Sequence, residues 1–371
     1  MNANARPPPP RVCNMAVDKP MVYEYTPRFG GGARRKRPDH KGNNQMTASL
    51  KVMGGTSYLD LRERMQARDR GLREKVMSLT DAISLVNDGD HMAIGGNTFS
   101  RTPFAAVWEV VRQKKKNLTV SRNITSSEGD MLLAGGCTEH YITSWFSQGI
   151  VWGVSKVMRH FMESGAVRYD EWSHMSIGMM YRAGALGLPF MPTRVMMGSD
   201  MARLVADDIK EMDCPYTGEK LALLPALNPD VALIHVHRAD AYGNAQYDGL
   251  PFMEADLALA ADKVILTCEQ IISNDQIRRA PDQTKIPFFA VEAVVEVPYG
   301  CMPHECSGLY EPYYSHMDYY AKLTREKGIE GANEYLQEYV YGPEDWNDFL
   351  NRLGFSGIIE ATKAGRRLYS D

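Results

Sequence analysis

The sequence predicts an α/β fold: an open, mostly parallel sheet with helices on both faces and a helical C-terminal tail. Three observations lead there. Short apolar runs of strand length recur along the chain, helical patterns alternate with them, and a glycine-rich turn joins the first strand to the first long helix. Alternation of this kind gives parallel strands whose crossover helices cover both faces of the sheet.

The turn lies in Asp88-Gly89-Asp90-His91-Met92-Ala93-Ile94-Gly95-Gly96-Asn97-Thr98-Phe99-Ser100-Arg101-Thr102-Pro103. It reads as a polar turn, a short strand, a glycine pair, a polar loop and a proline opening the helix Phe104–Lys115. Glycine lets the backbone turn sharply and present bare N–H groups to an anion, and proline fits the first helical turn, where its missing N–H is no loss. Strands follow at Met92–Ile94, Leu118–Ser121, Tyr141–Ser144, Thr193–Met196, Val231–His235 and Lys263–Cys268, and further helices at Val154–Ser164, His174–Leu186 and Met253–Ala261. Thr80 is read as the N-cap of a helix Asp81–Val86. The tail from Ser315 to Gly354 is helical and closes on a strand-like run, Gly357-Ile358-Ile359-Glu360.

Residues 1–48 differ from the rest, with Pro7–Pro10, Gly30–Gly32 and the basic run Arg34-Arg35-Lys36-Arg37. They hold too few apolar residues to offset their ordering entropy and are expected to be disordered. Residues 49–77 are a lead-in segment, with a charged surface helix expected over Leu59–Met77, and residues 78–371 form the main domain. At 371 residues, 44% hydrophobic and 24% charged, the chain has the composition of a globular protein with a sizeable core. A net charge of -4 gives no reason to invoke nucleic acid, and no apolar run is long enough to span a membrane. With no signal-like apolar segment and six scattered cysteines, a cytoplasmic location with reduced thiols is expected.

These residues resemble the A-type chain of the family I coenzyme A transferases, particularly the glutaconate CoA-transferase type. The family's signature runs Asp/Asn-Gly/Asn, two residues, three apolar residues, Gly-Gly-Phe, three residues, Gly, one residue, Pro. Asp88-Gly89, Met92-Ala93-Ile94, Gly95-Gly96 and Pro103 match it at the same spacing, with Asn97 in place of Phe and Arg101 in place of the third Gly. The likeness extends through Gly184–Pro192, Met197-Gly198-Ser199, Asp230–His235 with Gly243-Asn244, Thr267–Ser273, Pro298-Tyr299-Gly300 and Cys306–Tyr310, roughly residues 77–355.

The resemblance implies CoA transfer between an acyl-CoA donor and a small or dicarboxylic acid. A glutamate on a homologous B-type partner would attack the thioester, so this chain alone would be inactive. The partner implied is that B-type chain, in a heterodimer or a larger assembly. The CoA thioester is substrate, and no permanently bound cofactor is implied. The alternative is a CoA-dependent hydrolase of the same fold, opening a ring in a cyclic acyl-CoA of the steroid-degradation type. A third reading is a non-catalytic subunit.

The substrate- or CoA-binding candidates are Gly95, Gly96, Asn97, Thr98, Arg101, Ser126, Ser127 and Glu128. The N–H groups around Gly95–Asn97 either face a developing oxyanion, worth ~3 kcal/mol per donor, or simply permit a tight turn. Arg101 either grips a carboxylate or phosphate or makes a surface salt bridge. Glu128, in the loop Asn123–Asp130, is a nucleophile, a site-lining acid or a charge at a helix N-terminus. His174 stands where the hydrolase branch carries a catalytic glutamate; it is a general base or a polar helix boundary. Cys301, His304 and Cys306, with His235 and His237, do not follow the usual zinc spacing, and no metal is assigned.

Overall fold

The computed structural model describes residues 58–149, 151–205 and 207–367, all within one compact unit. The expectation for residues 1–48, and for 49–57 of the lead-in, lies outside the described residues. Among the described residues twelve strands are formed: β1 His91–Ile94, β2 Leu118–Thr125, β3 Thr138–Phe146, β4 Arg168–Glu171, β5 Phe190–Thr193, β6 Lys210–Asp213, β7 Lys220–Pro225, β8 Val231–Ala239, β9 Ala245–Gln246, β10 Lys263–Ile271, β11 Thr284–Ile286 and β12 Ala293–Glu296. Seven lie parallel in the order β12–β10–β8–β1–β2–β3–β4, and β9 and β11 add an antiparallel fringe beside β8. A separate antiparallel sheet, β5–β7–β6, is inserted between β4 and β8.

Side-chain alternation divides the core into two. Met92, Ile94, Val120, Leu233 and Ile265 face one side, with the helix Phe104–Arg112 and the C-terminal helices, while Ala93, Ala232, Ile234, Val264 and Leu266 face the other, with the helices His174–Ala185 and Glu254–Ala260. Both faces are therefore covered, which is why the central strands read as continuous apolar runs. The C-terminal helices Tyr314–Lys327, Ile329–Tyr335 and Trp346–Leu353 extend the first core through Tyr335, Phe349 and Leu353. Trp108 Nε1 donates to the Tyr339 carbonyl at 2.8 Å, and the Trp346 and Phe349 rings stack 4.5 Å apart.

Several boundaries differ from expectation. The lead-in helix covers only Tyr58–Ala67; beyond it the chain runs along β12, with Val76 bridged to Val294 and the Met77 N–H on the Val294 carbonyl at 3.0 Å. Arg68-Asp69-Arg70-Gly71 offers no apolar stripe to hold a longer helix. Ser78, not Thr80, is the N-cap, its hydroxyl accepting from the Asp81 N–H, and the helix is Leu79–Ser84. The strand expected at Thr193–Met196 lies earlier, at Phe190–Thr193, because Met196 turns out of extended backbone with φ 70°. Gly357–Glu360 sits inside the helix Phe355–Arg367, where Ile358 and Ala361 supply a one-face apolar stripe. Among the described residues no helix is long and apolar enough to cross a membrane.

Candidate functional site

From β1 the chain steps outward through β2, β3 and β4, while β8, β10 and β12 lie on β1's other side. The crevice beyond the carboxyl ends of β1 and β8 is therefore a topological switch point, where open α/β sheets bind ligands. The glycine turn opens into it. Gly95 donates its N–H to the Leu233 carbonyl at 2.8 Å, continuing the sheet ladder, and Asn97 and Ser100 exchange backbone bonds of 3.0 and 2.9 Å. Gly96 has φ 72°, and a Cβ there would stand 2.4 Å from the Ser100 carbonyl oxygen. Of the three N–H groups proposed from sequence, only that of Gly96 lacks a protein acceptor among the described residues.

A cavity of about 440 Å³ lies against this turn. Gly95, Gly96, Asn97 and Asn123 line it from the strand ends; His174, Met175, Gly178 and Tyr181 from one face of the helix His174–Ala185; and Pro251, Phe252, Met253 and Glu254 from the segment before the next helix. His174, Gly178 and Tyr181 fall at i, i+4 and i+7, so helical periodicity aims all three inward. Ser144 Oγ bonds Asn123 Oδ1 at 2.7 Å and lies 3.5 Å from His174 Nδ1. Burial pushes the His174 imidazole below its ordinary pKa, favouring the neutral ring at pH 7.

Ser126, Ser127 and Glu128 are not among the residues lining that cavity. β2 runs on through Thr125 and the helix Ser127–Ala134 follows at once, so Asn123–Asp130 is not a loop. Glu128 is fully buried, pairs with Arg122, and accepts from the Ser126 N–H at 2.8 Å and the Ser126 hydroxyl at 2.7 Å. Burial works to raise its pKa, but the Arg122 charge and the Ser126 hydrogen bonds hold it below the ordinary carboxylate range. Arg122 also donates to Thr102 Oγ1 at 2.9 Å and to the Thr98 carbonyl at 3.2 Å, and Thr98 itself has φ 53°. His304 completes the group, bonding Thr102 Oγ1 and Ser127 Oγ at 2.9 Å each. The cluster braces the underside of the glycine turn.

Arg101 is also fully buried, with φ 49°. Its Nη2 and Nε meet Glu254 Oε1 at 2.7 and 3.1 Å, its other bonds go to the Asp248 and Leu250 carbonyls at 3.0 and 2.6 Å, and Tyr247 and Phe252 flank it at 4.5 and 5.0 Å. It ties the glycine turn to the 247–254 segment forming another cavity wall.

Comparison with known proteins matches the coenzyme A transferase family profile over residues 76–297. The chain belongs to the coenzyme A transferase family. It is 36% identical over 77% of its length to the A chain of glutaconate CoA-transferase from Acidaminococcus fermentans, covering 93% of that protein. The crystal structure of the same organism's glutaconate coenzyme A-transferase superposes with TM-score 0.74 at 37% identity, covering 77% of this chain and 95% of that one. An uncharacterized protein of Archaeoglobus fulgidus is 38% identical over 79% of this chain, which spans 65% of that longer relative. The cholesterol ring-cleaving hydrolase IpdA subunit of Rhodococcus jostii is 28% identical over 74% of this chain and 94% of its own.

Within this family fold, β8 and β10 hold a second polar group. Donor atoms of His235, Glu269, Cys301 and Cys306 lie within 4.8 Å of one another, so among the described residues these four could hold a metal ion. Their hydrogen bonds are already closed: His235 bonds Thr267 Oγ1 and Glu269 Oε1 at 2.9 Å each, and Glu269 also accepts from Tyr310 and from the Tyr299 N–H at 2.7 Å. Burial opposes the charged imidazole, but hydrogen bonds to Cys306 and Glu269 and the Glu269 charge raise His235 to about 9. Sequence reasoning gave no site role to Arg122, Tyr181 or Glu254, named Asn123 only as the start of a loop, and weighed His304 only as a metal ligand. Tyr181 carried a readable signal, its helical spacing from His174; Arg122, Glu254 and His304 meet the site through pairings that the fold supplies.

Proposed function

We propose that this chain is the A-type component of a heteromeric CoA transferase moving CoA from an acyl-CoA donor to a carboxylic acid. The attacking glutamate belongs to a B-type partner. That carboxylate attacks the thioester carbonyl and releases CoA thiolate; the thiolate attacks the glutamyl carbonyl of the resulting anhydride, freeing the donor acid and leaving a glutamyl-CoA thioester for the acceptor carboxylate. The observation that carries this reading is the geometry of Glu128. Buried and engaged by Arg122 and Ser126, it does not line the cavity, while the Gly96 N–H and the cavity beside it supply an oxyanion-binding half-site. Kinship to relatives named as the A-type chains of transferases supports the division of labour.

The ring-opening hydrolase is the second reading, favoured by His174, a base that lines the cavity, and by the IpdA relatives. One experiment separates them. The chain is co-produced with a B-type partner, mixed with an acyl-CoA donor and treated with borohydride, which reduces an enzyme-bound thioester. Donor-dependent inactivation with the modified glutamate on the partner is expected for transfer; full activity after treatment, with no modified residue on either chain, overturns it.

A further inference from the structure

We infer that the acyl group housed by this chain is neutral and apolar, so that the preferred acid is an aliphatic monocarboxylic acid, not a dicarboxylic one. The inference rests on the transfer reading above and specifies its substrate class. It follows from the charge arrangement at the cavity wall. Away from the glycine turn, the wall is built from Met175, Tyr181, Phe252, Met253 and Leu257. A second carboxylate on the acyl chain would leave water for this apolar surface and need a cation in compensation.

Arg101 is bonded to Glu254 of the cavity wall, and four of its five N–H donors are engaged. Glu254 takes two of its donors, main-chain carbonyls take two more, and aromatic rings flank it. Glu254 belongs to the cavity wall but its side chain is fully buried against Arg101, so the pair presents no free positive charge to a distal carboxylate. Glu254 Oε2 also accepts from the Phe252 N–H at 3.2 Å, which fixes the acid in the wall. The remaining polar groups, Asn97, Asn123 and His174, carry no full positive charge at pH 7. They can hydrogen-bond the reacting carboxyl or thioester oxygen without neutralising a second anion.

The test uses the co-produced complex and one acyl-CoA donor with two acceptors of equal chain length, pentanoate and glutarate. A kcat/KM ratio favouring pentanoate by at least about tenfold is expected, which corresponds to ~1.4 kcal/mol of discrimination. Glu254→Gln releases the Arg101 charge and is expected to move that ratio toward glutarate by about tenfold. If the variant does not fold, the wild-type ratio decides alone. Equal or better use of glutarate by the wild type overturns the inference and leaves the transfer reading intact, as does use of neither acid when borohydride still traps the donor-derived thioester. Absence of both turnover and trapping overturns the transfer reading, and the inference with it.

Discussion

Gly96 is where a single hydrogen atom in place of a side chain decides the turn. With φ 72° and carbonyl oxygens of Ser100 and Arg101 at 2.4 and 2.6 Å from a virtual Cβ, Gly96→Ala meets rigid backbone as well as an unfavourable dihedral angle. Destabilisation of ~2 kcal/mol or more is expected in urea unfolding, with loss of transfer activity. The pair beneath it behaves differently. Glu128→Gln leaves the Arg122 guanidinium buried without its counter-charge, and a loss of about 3–5 kcal/mol is expected. The glycine pair was legible because its conformational role is written in residue type. The fates of Arg101 and Glu128 were not, because a buried ion pair and an exposed charge look identical in one dimension until the fold supplies the partner.

His235 and Glu269 give a pH signature at the same scale. The folded pKa of His235 is raised to about 9 from an ordinary 6.5, so its contribution is complete below pH 6.5 and is lost as pH rises through 9. Glu269 is shifted the other way: burial works to raise it, but the His235 hydrogen bond and charge bring it below its ordinary value. Its contribution is complete above about pH 4.5 and is lost as pH falls through the depressed value. The stability difference between wild type and Glu269→Gln, read from urea midpoints, is expected to be largest near pH 5–6.5 and to shrink by pH 9.5. A difference unchanged across that range would show that the pair carries no charge coupling.

Elements with strong periodicity were readable and those defined by their neighbours were not. β1, β8 and β10 were located because strands buried on both faces carry continuous apolar runs, Met92–Ile94, Val231–Ile234 and Val264–Leu266. β6 and β7, the partners of β5, escaped notice because they are half-exposed and mix Lys210, Glu211 and Lys220 with short apolar pairs. The Phe355–Arg367 helix was misread at its centre because Ile358-Ile359 has β propensity that tertiary packing overrides. The helix His174–Ala185 is the element that shapes the cavity. A Cβ at Gly178 would meet the tip of Met253 at 2.9 Å, a flexible end that can move. Gly178→Met is therefore expected to fold with a melting temperature close to wild type while filling the cavity. KM for long acyl acceptors should rise several-fold and acetate should be spared; equal effects on both would place the acyl chain elsewhere.

At the scale of the whole molecule, the switch-point crevice is bounded on one side by β1, β2 and the helix His174–Ala185, and large apolar side chains stand exposed on that helix and on the neighbouring β3. Trp145 at the end of β3 is 54% exposed and Met175 beside His174 is 62% exposed. Exposed apolar groups of this size mark a surface completed by another protein. If the B-type partner proposed above covers Trp145, Trp145→Asp introduces a charge that must be desolvated on association. The variant is expected to weaken binding of the partner by at least about tenfold, measured by sedimentation of the mixed chains, without lowering the melting temperature of the isolated chain. Transfer activity should fall in parallel and recover as partner concentration is raised. That recovery distinguishes a weakened interface from a damaged active site, in which activity would stay low at saturating partner.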